Sequence, residues 1–301
     1  MKAIRVEVPA EQRPSPGPRE PASTTTIRSG RKYLGRRSGQ HLIVGLISAV
    51  FLVPFFVMVV TALETPDEVF GGGILPAHWT FSNFDSAVTA MPFLRYLGNT
   101  ALLVSLNVCG TLLSCPLVAY ALAKLPWLGR RLVFGSILAT MMLPAQVTLI
   151  PLYLLWSRLG FVGTFWPLII PQFFGTPFYI FLLRQFFASL PNWLRDAARI
   201  DGASELRIYY RIVLPQARAA LATVAVFQFV ATWTDFLLPL IYLNNSQNYT
   251  LSLGLYNFVN QQGVMWGPLM AACLLFTLPV LGLFMFAQRY FVSGIATTRV
   301  K

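Results

Sequence analysis

Apolar runs separated by short polar breaks dominate the chain. Leu42–Leu63, Leu97–Ala123, Leu132–Ser157, Leu159–Leu183 and Trp266–Ala287 contain no Asp, Glu, Lys or Arg, and Ala219–Leu243 contains only Asp235. A helix needs about 20 apolar residues to cross the hydrocarbon core of a bilayer. Each run reaches that length. The pattern therefore predicts an all-α integral membrane protein with six transmembrane helices. Residues 1–40 hold five Pro and nine basic residues and almost no large apolar ones. Such a segment buries too little surface to offset its ordering entropy, so it reads as a disordered basic tail. It is not a cleavable signal, because no apolar core precedes Leu42. Residues 41–301 form the transmembrane domain.

The breaks have their own character. Glu64–Arg95 carries Gly71-Gly72-Gly73 and the aromatic stretch Trp79–Phe84, which suits an interface. Pro126–Gly129 predicts a tight turn between spans two and three. Ser157–Thr164 links spans three and four, with Trp156 and Trp166 as expected belt residues. Pro144, Pro151, Pro167, Pro171 and Pro177 crowd these two spans, and each removes a helix hydrogen bond. Bent walls are expected there. Asn244–Trp266 has no charge and is rich in amides and aromatics, a composition that suits hydroxyl-bearing ligands or a plain polar loop.

One break is long and amphipathic. Pro191 suits a first helical position. Beyond it Trp193, Ala197 and Ile200 share one face, with Leu194 and Ala198 beside them and Arg195 and Arg199 on another. Asp201-Gly202 interrupts the pattern; Gly frees the backbone for a bend, and Asp201 suits an N-cap. Leu206, Tyr210 and Val213 form the expected apolar stripe of a second helix, Arg207, Arg211 and Arg218 lie opposite, and Pro215 ends it. The segment 190–218 thus predicts a helix–bend–helix outside the membrane. Two placements fit it, rest on lipid or docking to a partner surface, and the small residues Ala197, Ala198, Gly202 and Ala203 at the bend suit close approach by a partner.

Composition sharpens this picture. Only 11% of residues are charged, against about 25% in soluble domains. The net charge is +12. With six spans and an inside N-terminus, the segments 1–41, 124–131, 184–218 and 288–301 hold 21 of the 23 Lys and Arg. Basic residues collect on the cytoplasmic side, so N-in/C-in is predicted. The charge is a topology signal, not a nucleic-acid footprint. Cys109, Cys115 and Cys273 lie in spans and form no disulfide framework. Only His41 and His78 offer imidazole, on opposite sides, so no metal site is expected. No phosphate-binding loop or hydrolase motif is present. No cofactor and no enzymatic activity are expected of this chain. Asp235 is the one carboxylate well inside a span; a charge there is expensive and usually functional. It is a candidate for the pathway, or for a helix contact near Trp233 and Asn99, with a plain interfacial carboxylate as the alternative.

Asp196-Ala-Ala-x-x-Asp-Gly-Ala203, followed by Ile212-Val-Leu-Pro215, resembles the "EAA" loop of ABC-transporter permease subunits, and more narrowly the carbohydrate-uptake type, the maltose-permease-like second subunit. Leu143–Pro151, Phe181–Phe187, Trp233–Phe236 with Pro239, and Gln288–Gly294 add to it, and the resemblance covers roughly residues 41–301. Asp196 stands where the family usually has Glu, and Ala219 where a second Pro is common. The resemblance implies an inner-membrane subunit of an ATP-driven, binding-protein-dependent sugar importer. It implies a second permease subunit, a cytoplasmic ATPase dimer and an extracytoplasmic sugar-binding protein as partners, besides membrane lipid. It gives Asp196, Ala197, Ala198, Asp201, Gly202, Ala203 and Pro215 to the ATPase-coupling loop. Gly294–Lys301 resembles a tail that reaches the ATPase, with a frayed end as the alternative. A non-sugar solute such as a glycerol phosphoester, or a stand-alone carrier, are the alternatives.

Overall fold

The computed structural model describes residues 30–296 apart from residues 70, 72, 74, 261 and 262. The tail expected over 1–40 lies outside the described residues up to position 29; helix α1 (Gly30–Ala62) begins before its expected end. The last five residues, part of the expected ATPase-facing tail, also lie outside. The chain divides into two compact units, 1–53 and 54–301.

The second unit is built around α3 (Phe93–Lys124). Its buried positions, among them Tyr96, Thr100, Leu103, Val104, Asn107, Thr111, Cys115 and Ala119, recur at helical spacing. Before it, α2 (Ser82–Thr89) is a short helix within the segment read as an interfacial stretch. After it come α4 (Arg130–Met141), α5 (Ala145–Arg158), α6 (Trp166–Phe173) and α7 (Pro177–Ser189). The amphipathic segment gives α8 (Trp193–Ile200), α9 (Glu205–Ile208), a π-helical turn at Tyr209–Val213 and α10 (Leu214–Gln216). Then follow α11 (Arg218–Trp233), α12 (Leu237–Tyr242), α13 (Leu251–Gly254) and α14 (Trp266–Ala296). A two-residue hairpin, β1 (Val259–Asn260) with β2 (Gly263–Val264), is the one departure from all-α structure among the described residues.

Helix α3 packs against α6, α7 and α11, and α14 packs against α2 and α11. Close approach of α3 to α6 depends on Gly110, where a Cβ would stand 2.7 Å from the Phe173 ring. Four segments are long and apolar enough to cross a membrane: His41–Ala62, Phe93–Lys124, Trp166–Ser189 and Trp266–Gln288. Two bent pairs raise the number to as many as six. One is α4 with α5, bent by 99°. Its break falls at Pro144, whose extended backbone precedes α5. A proline disfavours helical geometry in the residue before it, so Leu132–Ser157 is not one rod. The other pair joins Glu205–Gln216 to Arg218–Trp233 at 78°, so this segment differs from the expected run Ala219–Leu243.

Several local expectations are corrected. Pro167 and Pro177 sit in the first turns of α6 and α7 and start helices rather than bend them. Leu159–Phe165 forms a turn, so the next span begins at Trp166 and not at Leu159. Trp156 is no belt residue: it is 8% exposed and packs with Leu168, Ile169 and Tyr242. Within the expected polar loop, Leu251–Gly254 is buried. Thr100 Oγ1 accepts from the Leu251 N–H at 2.8 Å, and Asn99 Nδ2 donates to the carbonyls of Gln247 and Tyr249, both at 2.9 Å. These bonds satisfy backbone groups that would otherwise be left unpaired against α3.

Candidate functional site

The segment 190–218 is a helix–bend–helix, as its pattern suggested, but its faces differ from the expectation. In α8, Ala198 is buried, and Trp193 and Ile200 are 66% and 87% exposed. The apolar face Trp193–Ala197–Ile200 therefore points away from this chain. Gly202 makes the bend at φ +75°, with no atom near its missing Cβ, so the backbone angle alone demands glycine. Asp201 does not cap the second helix. It ends α8, and Ser204 is the N-cap of α9, its hydroxyl accepting from the Arg207 N–H at 3.4 Å. The expected stripe Leu206, Tyr210 and Val213 is also corrected. Ile208, Tyr209 and Val213 are buried, and Leu206 and Tyr210 are 62% and 60% exposed. A π turn at Tyr209–Val213 widens the helix period, which brings Val213 to the same side as Ile208 and Tyr209. Pro215 lies inside α10 rather than ending the helix, and the elbow falls at Ala217. Proline has no N–H for the Arg211 carbonyl, and the Leu214 N–H reaches back to Tyr209 instead.

Glu205 anchors this loop to α3. Tyr120 Oη donates to Glu205 Oε2 at 2.8 Å, Arg199 Nε to Oε1 at 2.6 Å, and Arg195 Nη2 to Oε1 at 3.3 Å. Arg195 Nη1 also donates to the Lys124 carbonyl at 2.8 Å. Burial pushes the Glu205 carboxyl up, but the hydrogen bonds from Tyr120, Arg195 and Arg199 outweigh it and hold the group below the usual range. Lys124 Nζ donates to the Leu190 carbonyl at 2.6 Å and to Asn192 Oδ1 at 2.8 Å, where a cation suits the C-terminus of α7. Beneath these polar groups an apolar cluster of Tyr120, Phe187, Ala198, Ile208, Tyr209 and Val213 joins α3, α7 and the loop.

A cavity of about 370 Å³ lies further along α3, between α5, α6, α7, α11 and α12. Its polar lining is Asn107, Gln172, Thr176, Gln228, Thr232, Asp235 and Thr250, beside the aromatics Trp156, Tyr179 and Tyr242. No Lys or Arg lines it. Asn107 Nδ2 and Gln228 Nε2 converge on Thr232 Oγ1 at 3.3 and 2.9 Å. Asn107 Oδ1 is buried with no hydrogen-bond partner among the described residues. The rest of the lining is largely apolar, a mix typical of small-molecule pockets with a few polar groups set in apolar walls. The volume falls in the range of small-molecule pockets, about 300–1,000 Å³.

The structure separates the three pathway candidates. Asp235 lines the cavity, in the break between α11 and α12, where its Oδ1 accepts from the Leu238 N–H at 3.2 Å. Trp233 is buried away from the lining; its Nε1 donates to the Phe276 carbonyl at 3.0 Å and its ring stacks on Phe229. Asn99 holds the backbone at 247–249. Reading the sequence missed Asn107, Gln228 and Thr232. Their signal was present, since amides inside apolar runs are costly to bury without a partner. Nothing in the sequence singled out Glu205 as the hub. Among the described residues no three His, Cys, Asp or Glu gather as metal ligands.

A bundle of apolar helices with an amphipathic loop and a cavity lined partly by amides and hydroxyls fits a multi-pass membrane transport protein. Residues 116–297 match the family described as "Binding-protein-dependent transport system inner membrane component", and the chain belongs to that family. It is a multi-pass protein of the bacterial cell membrane. It is 32% identical over 260 residues, 85% of this chain and 93% of the relative, to the arabinooligosaccharides transport system permease protein AraQ of Halalkalibacterium halodurans. It is 30% identical over 260 residues, 85% and 86% of the two chains, to the diacetylchitobiose uptake system permease protein NgcG of Streptomyces coelicolor. Its fold matches a bacterial ABC transporter involved in the import of the acidic polysaccharide alginate. That match has a TM-score of 0.76 and 24% identity, and covers 88% of this chain and 98% of the other.

Proposed function

We propose that this chain is one of two permease subunits of an ATP-driven, binding-protein-dependent importer of neutral sugars. It performs no chemistry itself. It crosses the membrane six times with both termini inside, so the loop 190–218 faces the cytoplasm. There the loop docks in a partner ATPase dimer. The observation that carries this reading is the bare apolar face of Trp193, Ala197 and Ile200 on a helix whose other side is tightly anchored. Exposed apolar patches of this kind mark interaction sites. Asp196, Asp201, Gly202 and Ala203 flank that face; Ala198 packs inward and Pro215 sits before the elbow.

Two routes lead from the loop to the cavity. One is covalent, through the elbow at Ala217 into α11, which carries Gln228 and Thr232. The other passes through Glu205 and Tyr120 into α3. Along that helix Asn107 lies about 20 Å from Tyr120 at 1.5 Å per residue. A displacement of the loop is thus delivered to two walls of the cavity. Amide, hydroxyl and aromatic groups without a cation suit a neutral polyol more than a phosphoester. The named uptake systems among the relatives support an oligosaccharide. The binding protein is expected on the outer face.

Co-purification with the neighbouring ATPase and second permease, followed by sugar-stimulated ATP hydrolysis with the binding protein, tests the reading. ATPase retention by the native chain and its loss on Gly202→Pro is the expected result. Retention of the ATPase by neither form would leave the stand-alone carrier.

A further inference from the structure

Three arginines converge on a second cavity that the transport reading does not use. It has a volume of about 290 Å³ and is lined by Leu122, Ala123, Arg130, Arg131, Phe134 and Arg184. Arg130 and Arg131 open α4, Arg184 comes from α7, and the end of α3 forms the floor. Arg184 lies over the Phe134 ring, its Cζ 3.9 Å from the centroid, and Phe134 also stacks with Phe181. That stacking fixes the guanidinium plane. Its Nε is buried with no hydrogen-bond partner among the described residues, and Arg130 Nη1 donates to the Leu125 carbonyl at 3.3 Å. Among the described residues no carboxylate pairs with any of the three. Three like charges around one hollow repel each other, and an anion seated in the hollow would relieve that repulsion.

The surroundings identify the acceptor. An adjoining hollow shares Arg130 and Arg131 and is lined by Trp127, Gly129 and Leu132. Leu128 and Leu132 are 101% and 78% exposed. Tryptophan, arginine and bare leucines side by side are the composition of a membrane interface. Basic pockets between transmembrane helices on the cytoplasmic side hold lipid head groups. We propose that Arg130, Arg131 and Arg184 form a site for the headgroup phosphate of an anionic phospholipid, with its acyl chains lying along Leu128 and Leu132. Phosphate oxygens would meet the guanidinium N–H groups that face the hollow. Placement in the inner leaflet rests on the orientation proposed above; the site itself rests only on the arginines and their surroundings.

The test uses the assembled transporter in vesicles of equal phosphatidylglycerol and phosphatidylcholine. Lipid retained through detergent washing is quantified by mass spectrometry. The native assembly is expected to retain phosphatidylglycerol preferentially. Arg131→Gln with Arg184→Gln is expected to reduce that preference about tenfold, the loss of one charge-assisted contact or more. Arg184→Lys, which keeps the charge and serves if the double variant does not assemble, should reduce it by a smaller factor. Arg158→Gln, remote from the cavity, should leave it unchanged. Equal preference in the native, double-variant and Arg184→Lys assemblies overturns the site. Inorganic phosphate that displaces phosphatidylglycerol completely, with no effect of vesicle composition, assigns the cavity to a soluble anion and overturns the lipid. Labelling of Leu128→Cys by an impermeant reagent reports the side of the membrane separately. Retained lipid with outward labelling keeps the site and overturns the orientation; inward labelling without retained lipid does the reverse.

Discussion

The loop and the cavity sit on the same helix and treat their polar groups in opposite ways. At the loop, Glu205 takes hydrogen bonds from Tyr120, Arg195 and Arg199, and Lys124 is held by a carbonyl and an amide. What it leaves bare is apolar: Trp193 and Ile200. In the cavity the open walls are largely apolar, with the hydroxyls and amides of Gln172, Thr176, Gln228 and Thr232 set into them. On the proposed reading, the loop that carries force is internally saturated and offers an apolar face outward. On the same reading, the cavity that takes up a hydroxylated solute lines apolar walls with a few hydroxyls and amides. The two are joined by one continuous helix and by the elbow at Ala217.

The sharpest way to break this contrast is at the bend. Gly202 sits at φ +75°, which proline, fixed near −65°, does not reach. Gly202→Pro should abolish coupled uptake while the apolar clusters still fold, as read by sugar uptake in vesicles and by thermal unfolding. Gly202→Ala should keep partial uptake, with a strain of about 1–2 kcal/mol. Loss of the anchor should come next. The Glu205 side chain is 33% exposed, so solvent screening limits its worth, and Glu205→Ala should destabilise by about 1–2 kcal/mol. Its larger effect should be functional: more ATP hydrolysed per sugar moved, with Glu205→Gln in between because the amide oxygen still accepts.

On the cavity side, Asn107→Leu and Gln228→Leu should raise the sugar concentration for half-maximal uptake about tenfold each, the worth of one hydrogen bond to a ligand. ATPase retention by the loop should be unaffected. Loss of the ATPase in these variants would show that the two regions are not separable. Asp235→Asn should leave the start of α12 intact, because the amide still accepts from the Leu238 N–H; normal uptake with Asp235→Leu would take Asp235 out of the pathway.

The smallest expected effect is on pH. The Glu205 carboxyl is held below its usual range in the folded loop. A depressed carboxylate contributes stability that is fully present above its unfolded pKa, about 4.3. That contribution is lost as pH falls through the lower folded value. Fluorescence from a probe at Ile200→Cys should therefore be flat from neutral pH to about pH 5 and change only under stronger acid. A change near pH 7 would mean that Glu205 is not the anchor.

How much of this was legible follows from where each constraint originates. The apolar runs and the bend at Asp201-Gly202 are local properties, and the sequence shows them. The outward face Trp193–Ala197–Ile200 was visible as a stripe, although its direction was not, because direction depends on what α3 and α7 already cover. Glu205 was invisible as a hub, since its partners Tyr120, Arg195 and Arg199 meet only after α3 and the loop dock. The bend at Pro144 agrees with the bent walls expected from the prolines, whereas the break at Thr234–Phe236 passed unread because an almost uncharged run reports solvent and not straightness, and the π turn carries no local signature of its own. The burial of Leu251–Gly254 likewise comes from Asn99 and Thr100, some 150 residues away in the chain.

The most direct measurement is cysteine cross-linking within the assembled transporter. Cys109, Cys115 and Cys273 would first be replaced by Ala, and a single cysteine placed at Ile200 or, as a control, at the exposed Leu94. The account predicts that Ile200→Cys cross-links to the ATPase subunit, that Leu94→Cys does not, and that adding ATP changes the yield. Equal cross-linking from both positions, or none from Ile200→Cys in an assembly that still transports sugar, would contradict it.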